Sequence, residues 1–216
     1  MNSLKAVIYD MDGVIINSEP YWREAIIFTF NSVGLAFTED MCRITQGMRL
    51  IEVVEYWYQK SPWQGKTIVE VEKDLLVKVT ELISTKGNEM AGVKSSITYF
   101  KSKGYKIALA SSSASSLIDV VLQKLNIANE FEVVNSAENL AYGKPHPEIF
   151  IKTALQLSVK PNECLVIEDS FNGVLAGKAA LMQVVAIPDE ESAADKRFNI
   201  ADYQLNNLNE ILTLNF

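Results

Sequence analysis

The sequence predicts an α/β protein built on a doubly wound parallel sheet, with a helical domain inserted near its start. Three observations predict this. Five short apolar runs rich in Val, Ile and Ala read as strands buried on both faces. Amphipathic segments of ordinary crossover length separate the later runs, as in parallel sheets. More than ninety residues separate the first run from the second, far too many for one crossover helix.

The first strand is LKAVIY from Leu4, and the second is YKIALA from Tyr105. FEVV from Phe131, CLVI from Cys164 and QVVAI from Gln183 follow, with a short sixth near Tyr203. SSLIDVVLQKL from Ser115, PEIFIKTALQL from Pro147 and NGVLAGKAAL from Asn172 read as the helices between them. Within the long interval, Glu19 to Val33, Ile51 to Gln59 and Thr67 to Thr85 carry helical spacing. In the last, Ile68, Val71, Leu75, Leu76, Val79 and Leu82 make one apolar face. The expected division is residues 1–16 and 89–216 for the catalytic core and 17–88 for the inserted helical cap.

Composition narrows the function classes. The chain has 216 residues, 48% of them hydrophobic, enough for a large core or a core with an inserted partner. A formal net charge of -7 argues against a broad nucleic-acid surface. A small anionic substrate remains compatible, since local cations outweigh the global charge. Cys42 and Cys164 have neither metal-site spacing nor a disulfide framework, and Cys164 reads as a buried thiol. MNSLKAV lacks a signal-type apolar stretch, and no run approaches membrane-spanning length. A soluble, cytoplasmic, monomeric protein is expected, with no membrane or nucleic-acid partner.

In open parallel sheets, ligands bind at the carboxyl ends of the strands. The first strand runs into Asp10-Met11-Asp12-Gly13. Side chains alternate along extended chain, so Asp10 and Asp12 can share one side of that edge. Like charges this close need a cation or a proton between them, which suits a metal-bound nucleophile beside a general acid/base. A strand-ending turn explains the same residues. Ser111-Ser112-Ser113 follows the second strand and can bind phosphate oxygens or cap a helix. Gly143-Lys144-Pro145 follows the third; Lys144 can neutralise a phosphoryl group or be a solvated lysine. Glu168-Asp169-Ser170 follows the fourth and suits Mg²⁺ or a helix cap.

Each feature is weak alone, but four strand ends deliver Asp/Asp, Ser, Lys and Glu/Asp in order. Standing as DMDGV, ALASSS, GKPHPE and VIEDS, they resemble the four motifs of the haloacid dehalogenase superfamily phosphatases. The resemblance covers essentially the whole chain. It implies a Rossmann-like core with a helical cap after the first strand, and phosphoric monoester hydrolysis. Carried over by position, it implies Asp10 as the nucleophile and Asp12 as the general acid/base. Ser111, with Ser112 beside it, and Lys144 would hold the phosphoryl oxygens. Asp169 would ligate Mg²⁺ with Asp10 and the backbone carbonyl of Asp12, and Glu168 would assist. The substrate would be a small phosphorylated molecule.

Within the superfamily the chain is similar to the β-phosphoglucomutase-like branch. It also resembles the 2-deoxyglucose-6-phosphate/hexitol phosphatases over DMDGVIINSEPYW, TQGMRLIEVVEYWY, KSPWQG, SAENLAYGKPHPEIF and IEDSFNGVLAGKAA. That likeness makes Glu19, Gln46, Gly47 and Arg49 candidate specificity residues, with a surface helix position equally open for Arg49. One departure bears on the reaction. The mutases of this branch carry a cap histidine where this chain has Trp22, and its single histidine is His146, in the third motif. A phosphatase of hexose 6-phosphate type is therefore expected over a sugar-phosphate mutase. A phospho-accepting signalling module fits less well, because it lacks the long insertion and the second aspartate. A dehalogenase would not need Asp12, and nothing marks Lys60 or Lys66 as the buried lysine a phosphonatase would use.

Overall fold

In the computed structural model, which describes residues 4–214, six parallel strands form one sheet. Residues 1–3 and 215–216 of the expected core lie outside the described residues. The strands are β1 (Ala6–Tyr9), β2 (Lys106–Ser111), β3 (Val133–Ser136), β4 (Cys164–Glu168), β5 (Gln183–Ala186) and β6 (Tyr203–Gln204). Their order is β3-β2-β1-β4-β5-β6. The chain winds outward from β1 in both directions, so the switch point falls at the carboxyl end of β1, between β2 and β4.

Alternation along β1 fixes the layers. Ala6 and Ile8 face one hydrophobic cluster, with Phe150, Ala154 and Val174 from α7 (Glu148–Gln156) and α8 (Phe171–Ala179). Val7 and Tyr9 face the other, with Ile97, Phe100, Ile118 and Val121 from α5 (Val93–Ser102) and α6 (Ser115–Leu125). All four residues of β1 are buried, as the apolar run predicts.

Four helices lie between β1 and α5: α1 (Glu19–Ser32), α2 (Glu39–Ile44), α3 (Leu50–Lys60) and α4 (Ile68–Lys86). Thr67 and Glu70 start α4 with a reciprocal capping box: Glu70 N–H donates to Thr67 Oγ1 at 3.2 Å, and Thr67 N–H to Glu70 Oε2 at 2.8 Å. Val71, Leu75, Val79 and Leu82 then recur at helical spacing and are buried. An aromatic group completes this core, with Phe37 stacked on Phe30 and edge-on to Trp57, each pair 4.8 Å between centroids. The two chain segments that join these helices to the sheet run side by side. Asn17 N–H donates to the Asn88 carbonyl at 2.9 Å, and Met90 N–H to the Ile15 carbonyl at 3.0 Å.

The structure departs from the sequence expectation in three places. β3 starts two residues later than FEVV. Phe131 drops beneath the sheet to pack edge-on to Tyr9, and the strand pairs Val133 to Ser136 with Ala108 to Ser111. Helices α2 and α5 have no counterpart in the expected elements. Among the described residues no helix is long and apolar enough to cross a membrane.

Candidate active site

The carboxyl edge of the sheet opens into a cavity of about 270 Å³, at the small end of ligand sites. Asp10 and Asp12, at the end of β1, both line it, as do Ser111 and Ser112 from β2 and the loop after it. Lys144 arrives from the loop after β3 and Asp169 from the end of β4.

Lys144 is the electrostatic hub. Its ammonium donates to Asp10 Oδ1 at 2.6 Å, to Glu168 Oε1 at 2.5 Å and to the Ala110 carbonyl at 3.2 Å. All three side chains are buried. Removing one partner of a buried ion pair costs on the order of 3–5 kcal/mol, because the other charge is left in low dielectric. Burial alone would lower the Lys144 value, but Asp10 and Glu168 outweigh it and hold the ammonium above the usual lysine range.

The carboxylates outnumber their cation. Oxygens of Asp10, Glu168 and Asp169 lie within 4.8 Å of one another. Burial raises Asp10 well above the ordinary aspartate value; Lys144 opposes the shift, and Glu168 and Asp12 add to it. Burial likewise raises Asp169, reinforced by Glu168, Glu19 and Asp10. One ammonium offsets only one of three buried carboxylates, so the other two need protons or a further cation. An all-oxygen donor set of that charge fits a hard divalent cation. Gly13 keeps this corner open: with φ at +71° it adopts a left-handed backbone, and a Cβ there would collide with the Asp169 carboxylate.

Asp12 stands apart from that cluster and is held by three donors. Ser18 Oγ and Trp22 Nε1 donate to Oδ1 at 2.6 and 2.8 Å, and Ser113 Oγ donates to Oδ2 at 2.7 Å. Ser18 and Trp22 lie one turn apart at the start of α1, and Ser113 follows β2. The second aspartate therefore takes its orientation from the inserted helices as well as the sheet.

The other candidates divide. Ser111 is buried, and its Oγ accepts the Ser113 N–H at 3.0 Å. Ser112 Oγ donates to the Gly47 carbonyl at 3.1 Å, so it ties β2 to the loop after α2. Glu19, Gln46 and Gly47 line the cavity. Burial raises Glu19 to about 7, with Asp12 and Asp189 adding and Arg23 opposing. Arg49 does not line the cavity. Its guanidinium donates to Glu52 Oε1 at 2.6 Å and to the Leu140 carbonyl at 2.7 Å, docking α3 onto the segment that leads to Lys144. His146 lies 4.7 Å from Tyr142, ring to ring, and its Nδ1 accepts the Glu148 N–H.

Sequence reasoning passed over Ser18, took Ser113 only as part of a phosphate-binding or capping run, and took Trp22 only as the residue at the mutase histidine position. Ser18 precedes Glu19-Pro20 and reads as a helix cap, yet its hydroxyl caps nothing and turns to Asp12. The segment after β5, with Asp189 and Glu191, was also passed over, although it follows a strand at the same sheet edge.

A family model described as haloacid dehalogenase-like hydrolase matches residues 4–180. Hexitol phosphatase B of Escherichia coli K12 is 35% identical over 95% of this chain and 93% of its own length. A phosphorylated carbohydrates phosphatase of Thermotoga maritima is 34% identical over 82% of each chain. The crystal structure of a β-phosphoglucomutase from Clostridium difficile superposes with a TM-score of 0.83. It covers 96% of this chain and 93% of that one at 26% identity. The chain belongs to the haloacid dehalogenase-like hydrolase family. Within that family it is a phosphatase.

Proposed function

We propose that this chain is a Mg²⁺-dependent phosphatase that hydrolyses a small sugar or polyol phosphate of the hexose 6-phosphate type, with Asp10 as nucleophile. The observation that carries this is Lys144 bound to both Asp10 and Glu168 at the switch point, while Asp12 is held separately by Ser18, Trp22 and Ser113. The names of the relatives, a hexitol phosphatase and a phosphorylated carbohydrates phosphatase, support the substrate class.

The Asp10 carboxylate, once its proton has left, attacks phosphorus through an oxygen beside Lys144, and the bond from phosphorus to the sugar oxygen breaks. Asp12 gives its proton to that departing oxygen. It then takes a proton from the water that attacks the phosphoryl group on Asp10, releasing inorganic phosphate and free Asp10. Lys144 and the Ser111 region face the phosphoryl oxygens and offset their charge. Asp10, Asp169 and the Asp12 backbone carbonyl, assisted by Glu168, would hold Mg²⁺, which when bound would supply positive charge to offset that of the phosphoryl group. Helices α1–α4, residues 17–88, act as a cap that excludes water and positions Asp12. Two buried, unpaired cysteines suit a reducing, cytoplasmic compartment.

The β-phosphoglucomutase likeness makes a mutase the second reading. Trp22 disfavours it, because an indole N–H donates but cannot accept a proton. A coupled assay separates the two. Free phosphate and isomer are measured side by side, from hexitol and hexose 6-phosphates and from β-glucose 1-phosphate with a bisphosphate primer. Phosphate release without isomerisation is expected; isomer formation outpacing phosphate release would give the assignment to the mutase.

A further inference from the structure

Beyond the phosphoryl end, the cavity wall is built by α1, α2 and the segment after β5, and its charge is predominantly negative. Seven carboxylates line the cavity against four cationic side chains. Each of the four is already engaged. Lys144 serves Asp10 and Glu168. Arg43 and Arg23 converge on the same Glu191 oxygen at 2.7 and 3.5 Å. Arg197 holds Asp195 through Nη2 at 2.6 Å and Nε at 2.7 Å. Arg49, the remaining arginine nearby, is committed to Glu52. On the anionic side, neither Glu19 nor Asp189 forms a salt bridge among the described residues. Asp189 Oδ1 accepts the Ser192 N–H at 2.7 Å.

We infer that this cavity selects monophosphates whose remaining carbons carry only neutral hydroxyls, and that Asp189 enforces the choice by repelling a second anion. The inference rests on the phosphatase proposal above and deepens it. A second phosphate or a carboxylate at the far end of the substrate needs a free cation, and this wall offers none. The Arg43–Glu191 pair is about half exposed and therefore weak, with side-chain exposures of 51% and 50%. A substrate anion can draw on Arg43, but it displaces Glu191 only into the same wall, so the field there stays negative. Neutral hydroxyls meet the opposite situation. Carboxylates are pure acceptors, and a hydroxyl donates to them without bringing charge. Gln46 on the same wall offers both a donor and an acceptor. Discrimination of this kind works by placing unfavourable charge against the wrong partner.

The test uses three substrates that share the phosphate on carbon 6: glucitol 6-phosphate, 6-phosphogluconate and glucitol 1,6-bisphosphate. Initial phosphate release is measured with Mg²⁺ at low and high salt for the wild-type chain and for Asp189→Asn. We expect kcat/KM to be lower by roughly tenfold or more for both charged substrates, chiefly through KM. The gap should narrow with salt and shrink several-fold in Asp189→Asn. Equal kcat/KM across the three, preference for a charged substrate, or an unchanged ratio in Asp189→Asn would overturn the inference while leaving the phosphatase intact. Hydrolysis of none of the three would overturn the phosphatase proposal itself.

Discussion

Trp22 Nε1 donates to Asp12 Oδ1 across 2.8 Å, joining the first helix of the insert to the aspartate two residues beyond Asp10. Ser18 Oγ reaches the same oxygen from the preceding turn. A rigid helix thus sets the angle at which Asp12 meets the cavity, and any movement of α1 is felt at its carboxylate.

Trp22→Phe keeps an aromatic ring and removes the donor. A hydrogen bond of this kind contributes about 0.5–1.5 kcal/mol net. We expect kcat to fall roughly tenfold on a sugar phosphate with little change in KM or melting temperature. On p-nitrophenyl phosphate, whose leaving group needs no proton, the fall should be small. Equal losses on both substrates would detach Trp22 from the proton-transfer step.

Arg49 docks the insert rather than lining the cavity. Its main-chain N–H and its guanidinium both bind Glu52, and the pair sits against Gly143, one residue before Lys144. A Cβ at Gly143 would come within 2.6 Å of Glu52 Oε2 and 2.9 Å of Arg49 Nε. Arg49→Ala, Glu52→Ala and Gly143→Ala should each lower kcat/KM, and do so even on acetyl phosphate, which has no sugar to contact. The Arg49→Ala/Glu52→Ala double variant should be little worse than either single one. A loss confined to sugar substrates would make Arg49 a substrate contact.

The carboxylate cluster predicts a linked dependence on pH and metal. Asp10 and Asp169 keep their protons to higher pH in the folded chain than in the unfolded one. The stability they contribute to the metal-free protein is therefore full below the ordinary carboxylate value of about 4 and is lost as pH rises through their raised folded values. Glu19 follows the same course, which for it ends near 7. Mg²⁺ competes with those protons, so it should raise the melting temperature more at pH 8 than at pH 5. Asp169→Asn should need roughly tenfold more Mg²⁺ for half-maximal activity. A Mg²⁺ effect equal at both pH values, or full turnover in excess EDTA, would contradict the proposed metal role.

Much of the fold and part of the site were legible in the sequence. α6 spans Ser115–Leu125, as its periodicity predicts, because Leu117, Ile118, Val121, Leu122 and Leu125 face one cluster. β1, β2 and β4 are continuous apolar runs, and the residues just beyond each of them line the cavity. α5 was missed although Val93, Ile97 and Phe100 carry helical spacing, a pattern confined to the 10 residues after Gly92. The late start of β3 was not legible, since Phe131 looks like a strand residue but satisfies a tertiary contact with Tyr9 instead. The tie of Ser113 to Asp12 joins elements far apart in the chain, as Ser113 lies 101 residues from Asp12. Local pattern carries no information about such pairs.

The central claim is that Asp10 is the group that takes the phosphoryl from a sugar or polyol phosphate. Phosphate release from glucitol 6-phosphate by Asp10→Asn, beside the wild-type chain at matched Mg²⁺ and with melting curves confirming that both are folded, tests it most directly. We predict a fall in turnover of roughly a thousandfold or more in a protein that still melts cooperatively. Turnover within tenfold of wild type would contradict the claim.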